Sequence, residues 1–196
     1  MSTAQQALAD AVETNAELLT RYLVDFDDQT HVAQAPGLPN HVIWTLGHCS
    51  LTMQRAAELA DGQPVSRHDF REDAAPPNNR IPMRFYTETV CFGSTPAIDP
   101  LVYPSIESGM LIYNRSCERL AEAVRSCSDE ALDAEHDWGA TRLPFRALIG
   151  RVIFHNGMHA GQIANLRRAL GLPSIFQSGQ QAGDRDDPMS FDRTAG

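Results

Sequence analysis

Four stretches of the chain repeat a predominantly apolar residue every three or four positions. Leu8, Val12, Asn15, Leu19, Tyr22 and Phe26 form the first series. Trp44, His48, Leu51, Arg55 and Leu59 form the second, and Ile106, Met110, Tyr113, Cys117, Leu120 and Val124 the third. The fourth runs Leu148, Val152, His155, His159, Ile163, Leu166 and Leu170. Such spacing lines one face of an α-helix, so the pattern predicts amphipathic helices near residues 3–26, 40–61, 105–127 and 144–171. The ends carry matching signals. Asn40 and Ser105 are candidate N-caps, and Pro144 suits a first helical turn. Gly62 with Pro64, and Gly171 with Pro173, close helices two and four.

Residues 64–103 break the rhythm with Pro64, Pro76, Pro77, Pro82, Pro96 and Pro100, and only FYTETVCF offers a weak strand. An irregular connection of about 40 residues is uncommon in a compact domain. It becomes reasonable if it travels the length of a helix bundle, since a 22-residue helix is roughly 33 Å long. A crossover of that reach lets helices two and three run parallel. The expected fold is therefore all-α: a four-helix bundle over residues 1–172 with a long crossover between helices two and three. A polar tail follows over 173–196, rich in Gly, Asp and Gln. A chain of 196 residues suits one such domain.

Composition removes several functions. The formal net charge is −9, and all 16 basic residues are arginines scattered along the chain. A nucleic-acid partner is therefore not expected, because phosphate recognition needs clustered cations. With no lysine, Schiff-base and P-loop lysine chemistry are excluded. No apolar run approaches the roughly 20 residues of a membrane span. The polar, acidic amino terminus is unlike a secretory signal, so a cytoplasmic location is expected. The four cysteines show no C-x-x-C pairing. Cys49 adjoins a histidine of interest, but neighbours on a helix point about 100° apart.

The polar members of the apolar stripes are the informative ones. His155 and His159 lie one turn apart on the fourth helix, and His48 lies on the inward stripe of the second. Two histidines at i and i+4 can chelate one ion, and a third from a facing helix completes a set that leaves a coordination position open, the catalytic arrangement. The competing reading is three separate core histidines bonded to backbone or water. Gly157 and Gly161 each cost the fourth helix about 1 kcal/mol relative to alanine, which suggests a helix built around something. Asn15 serves either a bundle hydrogen bond or the metal site, and His41 is expected to be exposed or capping. Protons should compete for imidazole ligands as the pH falls through about 6.5.

The segments NHVIWTLGHCSLTMQRAAE and FHNGMHAGQIANLRRALG resemble the DinB-like (DinB/YfiT-like) metalloprotein superfamily. Its aromatic-x-x-x-His turn corresponds to Trp44 and His48. Its H-x-x-x-H-x-G-Q segment corresponds to His155, His159, Gly161 and Gln162, and CFGSTPAIDPLVYPSIE looks like the family's entry to the third helix. The resemblance covers residues 3–172. It implies a four-helix bundle holding one divalent ion through His48, His155 and His159, with water in the open positions. Zinc or nickel suits such ligands, with iron or manganese as further candidates. Characterised relatives include S-transferases and isomerases that use mycothiol or bacillithiol, and hydrolases. The implied activity is thus metal activation of a thiol or water against a small-molecule substrate. The alternative is a non-catalytic metal or small-molecule binding stress protein. No Glu adjoins H-x-x-x-H, so the H-E-x-x-H protease mechanism is unsupported. Glu107, Tyr113, Asn114 and Asn15 are candidates to face the site, and Gln162 is expected to serve helix packing or to support a ligand from behind rather than to be a ligand. A homodimer is also expected from the resemblance.

Overall fold

Helix α1 (Thr3–Arg21) begins with a capping box, Ser2 accepting from the Gln5 backbone while the Gln5 side chain accepts from Ser2 N–H. The computed structural model describes residues 2–72 and 81–175 of the chain, and these are mostly helical. Although α1 was expected to reach Phe26, it stops at Arg21. Leu23 and Phe26 stay buried beyond its end, in turns that include Asp25 at a left-handed φ of 69°. The stop has a tertiary cause. The buried Arg167 guanidinium binds the carbonyls of Tyr22 and Val24, and it pairs with the Asp25 carboxylate at 2.9 Å. Those carbonyls are freed from a helix and satisfied by a cation instead.

Helix α2 (Val42–Asp61) is capped by His41, not by Asn40 as expected. Nδ1 of His41 accepts from the Trp44 backbone at 3.2 Å, and its Nε2–H donates to the Ala97 carbonyl at 2.9 Å. Both ring nitrogens are thus used, so the ring can be fully buried. Burial pushes its pKa down to about 4. Asn40 instead donates to Gln162 Oε1 at 3.1 Å. Gly62, at φ 66°, ends α2 in the left-handed conformation.

The crossover is more ordered than its prolines suggest. Strands β1 (Phe70–Arg71) and β2 (Phe85–Tyr86) pair in parallel, and the one-turn helix α3 (Thr87–Val90) follows directly. The expected strand over 85–92 is therefore only two residues long. A 3₁₀ turn at Pro100–Val102 leads into α4 (Ile106–Ser126), capped by Ser105 as expected. After the short α5 (Asp129–Asp133) comes an antiparallel hairpin, β3 (Glu135–Trp138) and β4 (Thr141–Pro144). Helix α6 (Phe145–Ala169) is the longest, and Gly171 beyond it has φ 72°. The polar tail expected from residue 173 lies almost wholly outside the described residues.

Paired contacts give the helix directions. Gly109 packs on Ile43, Ser116 bonds Gln54 and Arg119 bonds Asp61, so α2 and α4 run parallel. Gln162 meets Asn40 and Asn156 meets Met53, so α2 and α6 run antiparallel. Gln5 reaches Cys127 and Cys117 reaches Val12, making α1 antiparallel to α4. Leu19, Leu46, Ile112, Leu120, Leu148 and Ile149, each at most 1% exposed, form the middle of one continuous core.

The crossover can press on α2 because residue 47 has no side chain. A Cβ there would stand 2.7 Å from both the Phe85 ring and Val90. Gly161, in contrast, faces open space, and a Cβ at Gly157 would make only an ordinary 3.7 Å contact with Asn15. Those two glycines are not demanded by close packing, contrary to the reading that α6 is shaped around something at them. Gly47→Ala should lower stability by about 1–3 kcal/mol through overpacking. Gly161→Ala should raise it by up to about 1 kcal/mol. Urea midpoints of the two variants against wild type check both signs.

Candidate metal centre

Antiparallel packing of α2 and α6 brings the three predicted histidines to one point. Nε2 of His155 lies 3.1 Å from Nε2 of His48 and 3.2 Å from Nε2 of His159, and all three atoms lie within 4.8 Å of one another. His48 and His159 are buried, and His155 is half-buried. They are not separate core histidines.

The rings are held from behind. His48 Nδ1–H donates to the Val90 carbonyl at 2.8 Å, and because a carbonyl only accepts, its Nε2 carries no proton when the ring is neutral. His159 Nδ1 is 2.9 Å from Gln162 Oε1, which also accepts from Asn40, so this Nε2 is likewise a bare lone pair. His155 Nδ1 faces Asn156 Oδ1 at a longer 3.4 Å. Trp44, one turn before His48, stacks on that ring with centroids 4.6 Å apart and planes 9° from parallel. Its indole N–H is anchored on Ser94 Oγ at 3.0 Å.

The donor set fits a divalent ion. Three lone pairs aimed at one point repel, and a single proton on His155 can bridge only one of its two neighbours. A cation satisfies all three. Imidazole nitrogens sharing a tetrahedral ion at about 2.0–2.1 Å stand about 3.4 Å apart, close to the separations here.

Beside the triad lies a cleft of about 770 Å³ between α2, α6 and the β3–β4 hairpin. His48 and His155 line it, and His159 sits behind them. Leu51, Val152, Trp138 and Phe154 make much of its wall.

A family model of the DinB superfamily matches residues 11–163. The chain belongs to the DinB superfamily. The crystal structure of a conserved protein from Enterococcus faecalis superposes with a TM-score of 0.65 over 87% of this chain and 99% of that one. At 16% identity it supports the fold alone. No curated protein matches the chain.

In this DinB-superfamily chain the other sequence candidates fare unevenly. Gln162 supports His159 as expected. Glu107 and Asn114 are exposed on α4 and line no part of the cleft, because they fall outside the buried stripe of that helix. Tyr113 is fully buried and does not line the cleft. Burial pushes its pKa up. Asn15 packs against α6 at Gly157 rather than on the triad. Cys49 is fully buried, and desolvation raises its pKa, so it offers no thiolate. Sequence reasoning missed Val90, whose backbone carbonyl has no sequence signal, and Ser94 and Asn156, whose roles depend on the crossover and the helix contact.

Burial lowers the pKa of all three histidines. For His159 desolvation acts first and the two neighbouring imidazoles add to it, bringing it to about 3. For His48 desolvation is again the largest cause, opposed by the Val90 carbonyl. Proton competition in the folded site thus sets in below the pH of about 6.5 expected from free histidine. The sign for stability follows. The unfolded chain takes up these protons near pH 6.5 and the folded chain only at lower pH. Stability is full above that pH and falls below it, by up to about 1.4 kcal/mol per pH unit for each histidine. His41 contributes in the same direction. Ion-free His159→Asn should therefore lose stability less steeply than wild type between about pH 6.5 and 4.5. Urea midpoints across that range give the two slopes.

Proposed function

We propose that this chain is a divalent-metal-dependent enzyme that activates a thiol or a water for attack on an electrophilic small molecule, as S-transferases and hydrolases do. In this reading the four long helices form one four-helix bundle around a single ion held by His48, His155 and His159. The observation that carries it is the convergence of three imidazole nitrogens, two of them tautomer-fixed, beside a cleft of substrate size. When bound, the ion supplies Lewis acidity that lowers the pKa of a thiol or water at its open positions. Zinc or nickel is proposed, with iron or manganese next.

The chain's own residues hold and orient. Val90 and Gln162 fix the tautomers of His48 and His159, and Trp44 fixes the plane of His48. Among the described residues lining the cleft, Asp137 is the one carboxylate, and it is paired with Arg142 at 3.4 Å. A dedicated protein base is thus lacking, which favours a thiol, with its pKa near 8.5, over water. Among the described residues no cysteine lines the cleft, and a low-molecular-weight thiol, of the kind that relatives in the superfamily use, is the proposed cosubstrate. A non-catalytic metal or small-molecule binding stress protein would keep the triad without room for a substrate beside it, and the cleft favours the enzyme. Among the described residues no helix is long and apolar enough to cross a membrane. The net charge of −9 argues against nucleic acid.

Protein purified without chelator should carry about one equivalent of metal by mass spectrometry, lost in His48→Ala. Because the rings meet only in the folded chain, ion removal should lower stability by roughly 3–4 kcal/mol for free ion at 100 to 1,000 times its dissociation constant. His159→Ala should melt like the chelated wild type. His68→Ala should melt like the untreated one, since that ring is 77% exposed in the crossover. A metal-free protein whose melting curve ignores chelator sinks the proposal.

The chain is further proposed to be a homodimer. Light scattering at micromolar concentration should return twice the 21.6 kDa chain mass, and a monomer mass refutes it.

A further inference from the structure

The cleft carries two arginines that the chemistry above does not use. On α2, His48, Leu51, Thr52 and Arg55 all line it, at positions i, i+3, i+4 and i+7, so they form one stripe. On α6, Arg151 and His155 line it one turn apart. Because α2 and α6 are antiparallel, Arg55, seven residues after His48, and Arg151, four residues before His155, are displaced from the triad in the same direction. At 1.5 Å per residue the displacements are about 10 Å and about 6 Å along the helices.

Neither guanidinium is neutralised. Among the described residues Arg55 has no hydrogen-bond or ion-pair partner. Arg151 donates only to the neutral Thr141 hydroxyl, at 2.7 Å. Arg115, Arg119, Arg125, Arg142, Arg146 and Arg167 each pair with a carboxylate. In a chain with 25 acidic and 16 basic residues, two unmatched cations at one end of one cleft reverse the local sign of charge. The nearby Asp137 shares Arg142 with Glu135, so it offsets at most one of the two positive charges. Between the triad and the arginines the wall is apolar, with Leu51, Val152 and Trp138.

We propose that the cleft binds an amphipathic carboxylate: Arg55 and Arg151 hold its carboxylate, Leu51, Val152 and Trp138 cover its apolar body, and its other end reaches the histidine triad. The guanidinium fork matches a carboxylate bidentately. A phosphate is the weaker candidate because no helix N-terminus lines the cleft, and such sites draw on backbone N–H groups. This inference rests on the metal-site reading, since the ligand's other end is placed at the triad.

The test uses the full chain loaded with cobalt(II), and two probes of equal chain length, mercaptohexanoate and mercaptohexanol, each with a terminal thiol. Thiolate binding is read from the sulfur-to-cobalt charge-transfer absorbance. Wild type should bind mercaptohexanoate about tenfold more tightly than mercaptohexanol, as expected for charge-assisted hydrogen bonds. Arg55→Gln/Arg151→Gln should cut that ratio to about threefold or less while cobalt content and melting temperature hold. Equal affinities in wild type, or a ratio that survives in the double variant, overturn the inference and leave the metal site standing. A protein that takes up no cobalt overturns the metal reading and this inference with it.

Discussion

Three imidazoles can aim their Nε2 lone pairs at one point only if each ring is held from its other nitrogen. This constraint organises the structure. The carbonyl that holds His48 belongs to Val90, at the end of a one-turn helix in the crossover. That helix can lie close enough only because α2 carries glycine at position 47. The amide that holds His159 is steadied by Asn40, which lies just ahead of α2. His48 is thus oriented from the crossover, while His159 and His155 are faced by Gln162 and Asn156 of their own helix. Pre-positioning of this kind lowers the cost of assembling a site and selects the tautomer that can bind a cation.

The connections therefore act as parts of the site rather than as passive links. The crossover carries α4 back to run parallel with α2, buries Phe85 and Val90 against it, and delivers the Ser94 hydroxyl that anchors the Trp44 indole. The β3–β4 hairpin, placed just before α6, closes one side of the cleft with Trp138, Gly139 and Ala140. Both segments look irregular in sequence. Both lie where a helix pair alone would leave the triad open to water, and exclusion of water strengthens every charge interaction inside.

Electrostatics divides the molecule sharply. The acidic surplus lies largely on exposed faces, where many carboxylates find arginine partners, and such pairs contribute little individually. At the cleft the balance reverses, and at the triad burial keeps the histidines neutral and available as ligands. An imidazole already deprotonated by its surroundings binds a cation without first releasing a proton. Burial thus disfavours a charged ring, and the same burial prepares the ring as a ligand.

Much of this was legible along the chain. The heptad-like steps located four helices within a few residues, and Ser105, Gly62 and Gly171 marked ends correctly, because caps and periodicity are local properties of backbone and side chain. The stripe positions of His48, His155 and His159 followed from the same arithmetic, and so did their shared inward direction. Local rules failed where a distant group supplied the missing partner. Arg167 ends α1 early by taking its carbonyls, and His41 displaces Asn40 as the cap because Ala97 completes its hydrogen bonding. Glu107 and Asn114 fall outside the buried stripe of α4. Only the packed structure could decide which carbonyl faces His48, how far apart the three nitrogens stand, and that a cleft opens beside them with two arginines that meet no carboxylate among the described residues. Those are distances between elements far apart in the chain. Sequence periodicity sets the face a residue occupies, and tertiary packing alone sets what it meets there.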